Sequence, residues 1–264
     1  MIFRTPSYYN KFKCLADKCS DNCCIGWEID IDAVTLKKYM NINGAFGNRL
    51  KQNISEGSFI LNEKERCPFL NNRNLCDIYT ELGEDNLCQI CTDHPRFYEW
   101  FGSIKEGGIG LCCEAAASLI LSEDFSLTES IIPEDESDFS DELLFNFLHD
   151  ARQVIIQHLH NDPDFADSIG CLICFSEELQ FRMDNDDYTI PEWGNTAVSC
   201  CTDIKSILNI FTELEPMDEG WIPYIHNSMK FADCFKGYKK QNEIYLRRIA
   251  VYFIYRYFLK GVFD

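Results

Sequence analysis

Cys14-Leu-Ala-Asp-Lys-Cys19-Ser-Asp-Asn-Cys23-Cys24-Ile-Gly-Trp27 is the stretch on which the reading of this chain turns. Four thiols within so short and polar a segment can turn to face one point. Zn²⁺ or an iron–sulfur cluster requires such convergence, with sulfur ligands at about 2.3 Å. The pattern continues in Cys67-Pro-Phe-Leu70, Cys76, Cys88-Gln-Ile-Cys91 with His94-Pro95-Arg96 behind it, and Cys112-Cys113. The first 113 of the 264 residues thus hold ten of the 15 cysteines. So dense a set points to metal rather than to buried apolar thiols. Zinc and an iron–sulfur centre both stay open, because sulfur-rich, histidine-poor ligation suits either. The spacing is not that of a Cys2His2 finger. It also lacks the CxxxCxxC of radical enzymes, since Gly26 stands where the third cysteine would be.

Disulfides are disfavoured. The count is odd, adjacent thiols such as Cys23-Cys24, Cys112-Cys113 and Cys200-Cys201 close strained rings, and Met1-Ile-Phe-Arg-Thr-Pro6 lacks the apolar core of a secretory signal. A reducing, cytoplasmic setting is the expectation. With 43 Asp and Glu against 24 Lys and Arg, the net charge of −19 opposes a sequence-independent hold on nucleic acid or an anionic membrane. Apolar residues at 46% and aromatics at 14% supply a core and exclude wholesale disorder.

The organisation reads as mainly α: a loop-rich, cysteine- and metal-stabilised amino-terminal region over 1–121, an acidic linker over 122–141, and an α-helical bundle over 142–264. The first region has few long apolar runs, so metal rather than a hydrophobic core is expected to hold it together. Two helices are foreseen there. One follows an Asp32 N-cap through Leu36, Tyr39 and Met40; the other begins close to Cys112, where the helix terminus would lower a thiol pKa. Trp27-Glu-Ile-Asp-Ile-Asp32 alternates like a short strand, with Trp27 packing against the metal loop. From Glu106 to Ala151 there is no Lys or Arg but there are twelve Asp and Glu, which marks the boundary as a solvated acidic linker. Beyond it the apolar period is helical: Leu144, Phe147, Leu148, Ala151, Val154 and Ile155; Phe165, Ile169, Leu172, Ile173 and Leu179; Val198, Cys201, Ile204, Leu208 and Phe211. Asn242 to Lys260 reads as a buried helix, with Arg247, Arg248 and Arg256 arguing against a membrane span. Cys171, Cys174, Cys200, Cys201 and Cys234 read as core thiols. His149, His158 and His160 read as surface or satisfied helix residues.

Phe12-x-Cys14, Cys19-x3-Cys23-Cys24-x2-Trp27-x-Ile29-x-Ile31-Asp32, Cys67-Pro-Phe-Leu70, Leu75-Cys76, Leu82-Gly83-Glu84, Cys91-x2-His94-Pro95-Arg96 and Cys112-x-Glu114 together resemble the flagellin lysine N-methylase (FliB) family. The likeness is dense to about residue 121 and loose in Glu243–Leu259. More distantly the pattern is similar to small cysteine-cluster proteins that chelate zinc or iron. The resemblance implies methyl transfer from S-adenosylmethionine to lysine amines of flagellin or another lysine-bearing protein in the cytoplasm. It also implies a [4Fe–4S] cluster, with zinc as the alternative, held by Cys14, Cys19, Cys23, Cys24, Cys67, Cys76, Cys91 and Cys112. Cys88 and Cys113 fall outside that pattern. Arg96 is the expected cofactor-side residue, its guanidinium fork suiting a carboxylate, against the alternative of an ion pair with one of the chain's many acidic side chains.

The sequence shows no strand–GxGxG–helix unit of a nucleotide-binding methyltransferase, which favours cluster-assisted methyl transfer. A non-enzymatic zinc- or iron-binding module whose helical half docks a partner is the alternative. Redox sensing through Cys88 and Cys91 is a third.

Overall fold

A computed structural model describes residues 1–20, 22–133, 141–194, 204–216, 219–231 and 235–263, giving the backbone alone for 204 and 235–241. The chain divides into two compact units, Met1–Asp138 and Phe139–Asp264, and is mainly α with a smaller share of sheet.

The first unit runs β1 (Ile2–Pro6), α1 (Ala33–Asn41), α2 (Gly44–Gln52), the two-residue strands β2 (Ile54–Ser55) and β3 (Ser58–Phe59), α3 (Asp77–Leu82), α4 (Gln89–Asp93), β4 (Arg96–Phe101), β5 (Ile104–Ile109), α5 (Glu114–Ser122) and β6 (Leu127–Ile131). A four-stranded sheet takes the order β4-β5-β1-β6, antiparallel except for β1 beside β5. It was not legible from the sequence as read above. It also corrects the linker: 127–131 lie in the sheet, paired with β1 from Ile2↔Ile131 to Pro6↔Leu127. Acidic side chains are tolerated there because β6 is an edge strand whose residues are mostly exposed. Residues 134–140 of that linker lie outside the described residues. Arg4 ties three strands, reaching Glu106 of β5 at 3.3 Å and Glu129 of β6 at 2.9 Å. In β5, Gly107 makes room for the Phe3 ring, which a Cβ would approach to 2.8 Å.

The expectation that this region lacks a core of its own is overturned. Ile29, Ile31, Tyr39, Leu50, Phe59, Phe69, Leu70 and Ile78 form a buried cluster together with Cys67 and Cys88. It was missed because it is assembled from single residues on many short elements rather than from one apolar run. The α1 expectation is borne out: Asp32 accepts the Thr35 N–H at 2.9 Å. Between Trp27 and Asp32 the chain makes one isolated bridge, Asp30 to Ser58, instead of a strand, yet its burial alternates, with Ile29 and Ile31 inside. At the end of α3, Gly83 adopts φ 89°, a left-handed position that stops the helix.

The second unit contains α6 (Glu142–Asn161), α7 (Phe165–Asp184), α8 (Ile204–Thr212), α9 (Trp221–Met229) and α10 (Phe235–Tyr257). Caps fix two starts: Asp141 accepts the Leu144 N–H, and Asp164 those of Ala166 and Asp167. Phe147, Leu148, Ala151 and Ile155 are buried as expected, joined by Phe145, Ile156 and Leu159. On α7, Leu179 is buried as expected and Phe165, Ile169 and Leu172 are half-buried, but Ile173 is 40% exposed and the buried face takes in Ser168 and Phe175 instead. On α8, Ile207, Ile210 and Phe211 are exposed, and Val198 and Cys201 lie outside the described residues. The last helix is amphipathic rather than wholly buried: Val251, Tyr252 and Tyr255 face inward, Ile244, Phe253 and Tyr257 outward. His158 stacks on Trp193 at 4.5 Å and meets Asp162 at 3.0 Å, so its ring is satisfied. No helix among the described residues is long and apolar enough to cross a membrane.

Phe69 is fully buried, 5.1 Å from the Phe59 ring and 6.0 Å from that of Phe46, with the Arg49 guanidinium 5.0 Å over its face. Phe69→Ala is expected to destabilise the first unit by about 3–5 kcal/mol through lost burial and the cavity left behind. A denaturant titration followed by ellipticity checks this; a loss under about 1 kcal/mol would mean the cluster collapses freely around the gap.

Candidate functional site

The thiols enter the first unit's core along short, hydrogen-bonded turns. The Cys67 N–H donates to the Cys24 carbonyl at 2.8 Å, which brings the two cysteine segments side by side. From Cys67 the chain turns so that the Phe69 and Leu70 N–H groups point at its sulfur. Residues 70 and 76 then bridge, and Arg49 clamps the loop by donating to the Pro68 carbonyl and the Asp77 carboxylate, both at 2.7 Å. Cys76 precedes α3 and its sulfur accepts from Ile78 and Tyr79. Cys88 precedes α4 in extended backbone, and the Gln89 N–H donates to the second Asp32 oxygen at 2.9 Å.

Two groups of thiols result. Cys24, Cys67, Cys76, Cys88 and Cys91 lie within electrostatic reach of one another against the apolar core. Cys14 and Cys23 act on Cys113, and Cys23 also bonds to Cys24. Cys19 bonds to Glu114, which also accepts the Ser20 N–H and hydroxyl at 2.7 Å. Cys112 is exposed. Of the eight expected ligands, four thus meet in the inner group, where Cys88 joins them. The α5 N-cap is Cys113 rather than Cys112, and its thiol is raised rather than lowered, because burial outweighs the Ala115 and Ala116 N–H donors. The signal for Cys88 was its CxxC spacing to Cys91; for Cys113, its place directly before the Glu-Ala-Ala-Ala helix.

None of the twelve described cysteines is in a disulfide. Burial pushes the Cys67 thiol up to about 11 and raises Cys76. Cys24 is raised by its bond to Cys23 and by burial. The sulfurs of Cys88 and Cys91 lie 3.3 Å apart; their mutual hydrogen bond lowers Cys88 and, with burial, raises Cys91. The donor set is right in kind for a thiophilic metal, which would displace these protons. Among the described residues, however, no three His, Cys, Asp or Glu side chains stand in a geometry that holds a metal ion.

Beside the inner thiols an open cleft of about 540 Å³ is lined by Trp27, Asp30, Asp32, Ile90, Asp93, His94 and Arg96, among others. The His94–Pro95 peptide at its edge is cis. The His94 ring lies 6.0 Å from that of Trp27, and burial lowers its pKa, keeping it neutral. Arg96 forms no ion pair among the described residues. It stacks over Tyr9 and Phe12 at 5.7 and 5.2 Å and donates to the Thr92 carbonyl at 3.4 Å.

No family model matches the chain, and no solved structure does. The chain is 28% identical over 132 residues to the "Flagellar biosynthetic protein FliU" of Salmonella muenchen, covering 45% of this chain and 76% of that protein. It is 27% identical over 132 residues to the "Lysine-N-methylase" of Salmonella typhimurium and to that of Salmonella choleraesuis, each match covering 45% of this chain and 32% of the relative. These relatives bear out the resemblance read from the cysteine pattern. The matched stretch spans about a third of either methylase.

Asp32 accepts one N–H from each of two helical segments, chiefly Thr35 and also Gln89, and these bonds hold its carboxyl below the usual carboxylate range. Asp32→Ala is expected to cost about 1–2 kcal/mol at pH 7, measured by denaturant midpoint. The lowered value means the contribution is complete above the ordinary Asp pKa of about 3.9 and fades as pH falls through the folded-state value. The gap between wild type and variant should therefore close in acid and not in base.

Proposed function

We propose that this chain methylates lysine ε-amines of a protein substrate, flagellin being the first candidate, using S-adenosylmethionine and an iron–sulfur centre held by its amino-terminal thiols. The observation that carries the reading is the meeting of Cys24, Cys67, Cys76, Cys88 and Cys91 beside a cleft that contains Arg96. The names of the relatives supply the reaction class.

In this reading three of the four thiols Cys24, Cys67, Cys76 and Cys91 would hold the centre, and the N–H groups aimed at Cys67 and Cys76 favour their thiolates. A [4Fe–4S] cluster so held would supply an iron able to bind the methionyl amine and carboxylate of the cofactor. The remaining work falls to the cleft. A lysine amine, with a pKa of about 10.4, must lose its proton before it attacks a sulfonium methyl. Asp30, Asp32 and Asp93 draw the ammonium in, the Trp27 ring covers its stem, and the neutral His94 imidazole takes the proton. Arg96, without a carboxylate partner among the described residues, orients the carboxylate of the cofactor.

Iron, sulfide and zinc analysis of anaerobically purified protein, with mass spectrometry of co-expressed flagellin, tests this. A brown preparation absorbing near ~400 nm is expected, with lysine mass shifts on flagellin, and Cys24→Ser should lose colour and methylation together. A colourless, zinc-replete protein that does not bind S-adenosylmethionine would instead make the chain a non-enzymatic metal module. Methylation surviving in a colourless variant would remove the cluster from the chemistry.

A further inference from the structure

The chain contains two CxxC pairs among the described residues, one within a helix and one at a helix start, and the fold treats them differently. Cys171 and Cys174 both lie inside the regular turns of α7, half-buried, and their sulfurs form no hydrogen bond with each other. Cys88 stands just outside α4, at φ −70° and ψ 160°, while Cys91 lies within it. That break in backbone conformation lets the Cys88 sulfur lie over Cys91, 3.3 Å away, a distance the structure gives to a hydrogen-bonded pair. Two further bonds hold the geometry: Asp32 fixes the Gln89 N–H, and the Thr92 N–H donates to the Cys88 carbonyl at 3.0 Å. Closing to the roughly 2.05 Å of a disulfide requires side-chain rotation rather than rearrangement of the chain.

We propose that Cys88 and Cys91 are a reversible dithiol–disulfide site that exchanges with small disulfides of the glutathione class. Cys88 is 1% exposed and Cys91 is half-buried, so Cys91 meets the incoming molecule. Cys91 Sγ attacks one sulfur of the small disulfide, giving up its proton as it does so; that S–S bond breaks, a mixed disulfide forms and one small thiolate leaves. The Cys88 thiolate then attacks Cys91 Sγ, forming the Cys88–Cys91 bond and expelling the second small thiolate. The two protons lost by the protein pass to the two departing thiolates. The protein is oxidised by two electrons and the small disulfide reduced by two. Cys76 does not compete, because its sulfur is held by the N–H groups of Ile78 and Tyr79. The exchange uses neither a metal nor a methyl donor; because Cys91 is also a ligand in the reading above, the disulfide forms in the metal-free chain, and the metal-free test below reads it apart from the cluster.

The test uses full-length protein, purified without oxygen, treated with chelator and equilibrated in glutathione buffers of increasing oxidised share. Remaining thiols are alkylated and the tryptic peptide 74–96, which holds Cys76, Cys88 and Cys91, is weighed. The expected result is loss of both alkyl groups from Cys88 and Cys91 together, leaving those two positions two hydrogens lighter than the free dithiol, with Cys76 still alkylated and Cys171 and Cys174 still alkylated in their own peptide. Full alkylation at every buffer poise, a persistent glutathione adduct on the wild-type peptide, or a link to Cys76 would overturn the proposal. In Cys88→Ser the adduct should be trapped on Cys91. A folded variant without that adduct would remove the proposed order of attack, and the wild-type mapping decides the site should the variant not fold.

Discussion

The carboxylate of Asp32 is a fork on which the cysteine-rich unit is organised. One oxygen caps α1 through Thr35, and the other holds the first N–H of α4 through Gln89. The two helices are separated by some fifty residues that include α2, β2, β3 and α3, and this one carboxylate joins them directly. An N-cap bond is worth about 1 kcal/mol alone, but here the same group also fixes where Cys88 and Cys91 stand and forms part of the wall of the cleft. Fold and candidate chemistry therefore share one anchor. The Lys38 and Tyr39 side chains reinforce it by donating to the carbonyls of Asp85 and Asn86 at 2.9 and 2.6 Å, just ahead of α4.

The inner thiols are subject to opposed forces. Packing against Ile29, Phe69 and Ile78 takes them out of water and favours the neutral thiol, while backbone N–H groups aimed at Cys67 and Cys76 favour the thiolate. Burial wins at both, so in the metal-free chain these sulfurs behave as small apolar side chains and contribute to the core. The N–H donors are nonetheless already oriented. Their cost was met when the turns folded, which is the arrangement expected of sites where a cation later replaces the proton.

Much of the amino-terminal half was legible in its cysteines, and much of the rest was not. Asp32 announced α1, and the Glu-Ala-Ala-Ala run announced α5, because caps and helix formers act locally. The core around Phe69 and Leu50 was invisible, since each contributor sits alone on a different short element and no period connects them. The sheet escaped for a related reason: β1 and β6 are about 125 residues apart, and only their pairing makes the acidic Leu127–Ile131 segment a strand. Among the helices, the α6 stripe was read well because a seam of large aliphatic residues fixes the phase. On α7 the seam includes the small, polar Ser168, 1% exposed and bonded to Asp162 and Asp164, so hydrophobicity alone misplaces the buried face. Arg96 was legible as a residue of interest but not in its setting, because the rings of Tyr9 and Phe12 reach it from the far end of the unit's sequence.

Adjacent cysteines carry a consequence that their spacing alone conceals. Neighbouring side chains outside a helix point in different directions, so Cys23 and Cys24 cannot serve one point from one side equally. Here Cys24 acts with Cys67 and Cys76 in the core, while Cys23 reaches both Cys24 and the outer thiol Cys113. The pair Cys112-Cys113 divides likewise, one thiol exposed and the other half-buried at the start of α5. A contiguous run of thiols is thereby split between an inner group against the core and an outer group between the first loop and α5, with Cys23 as the link. The bond between Cys23 and Cys24 therefore joins the two groups, so a change of charge at either sulfur acts on both.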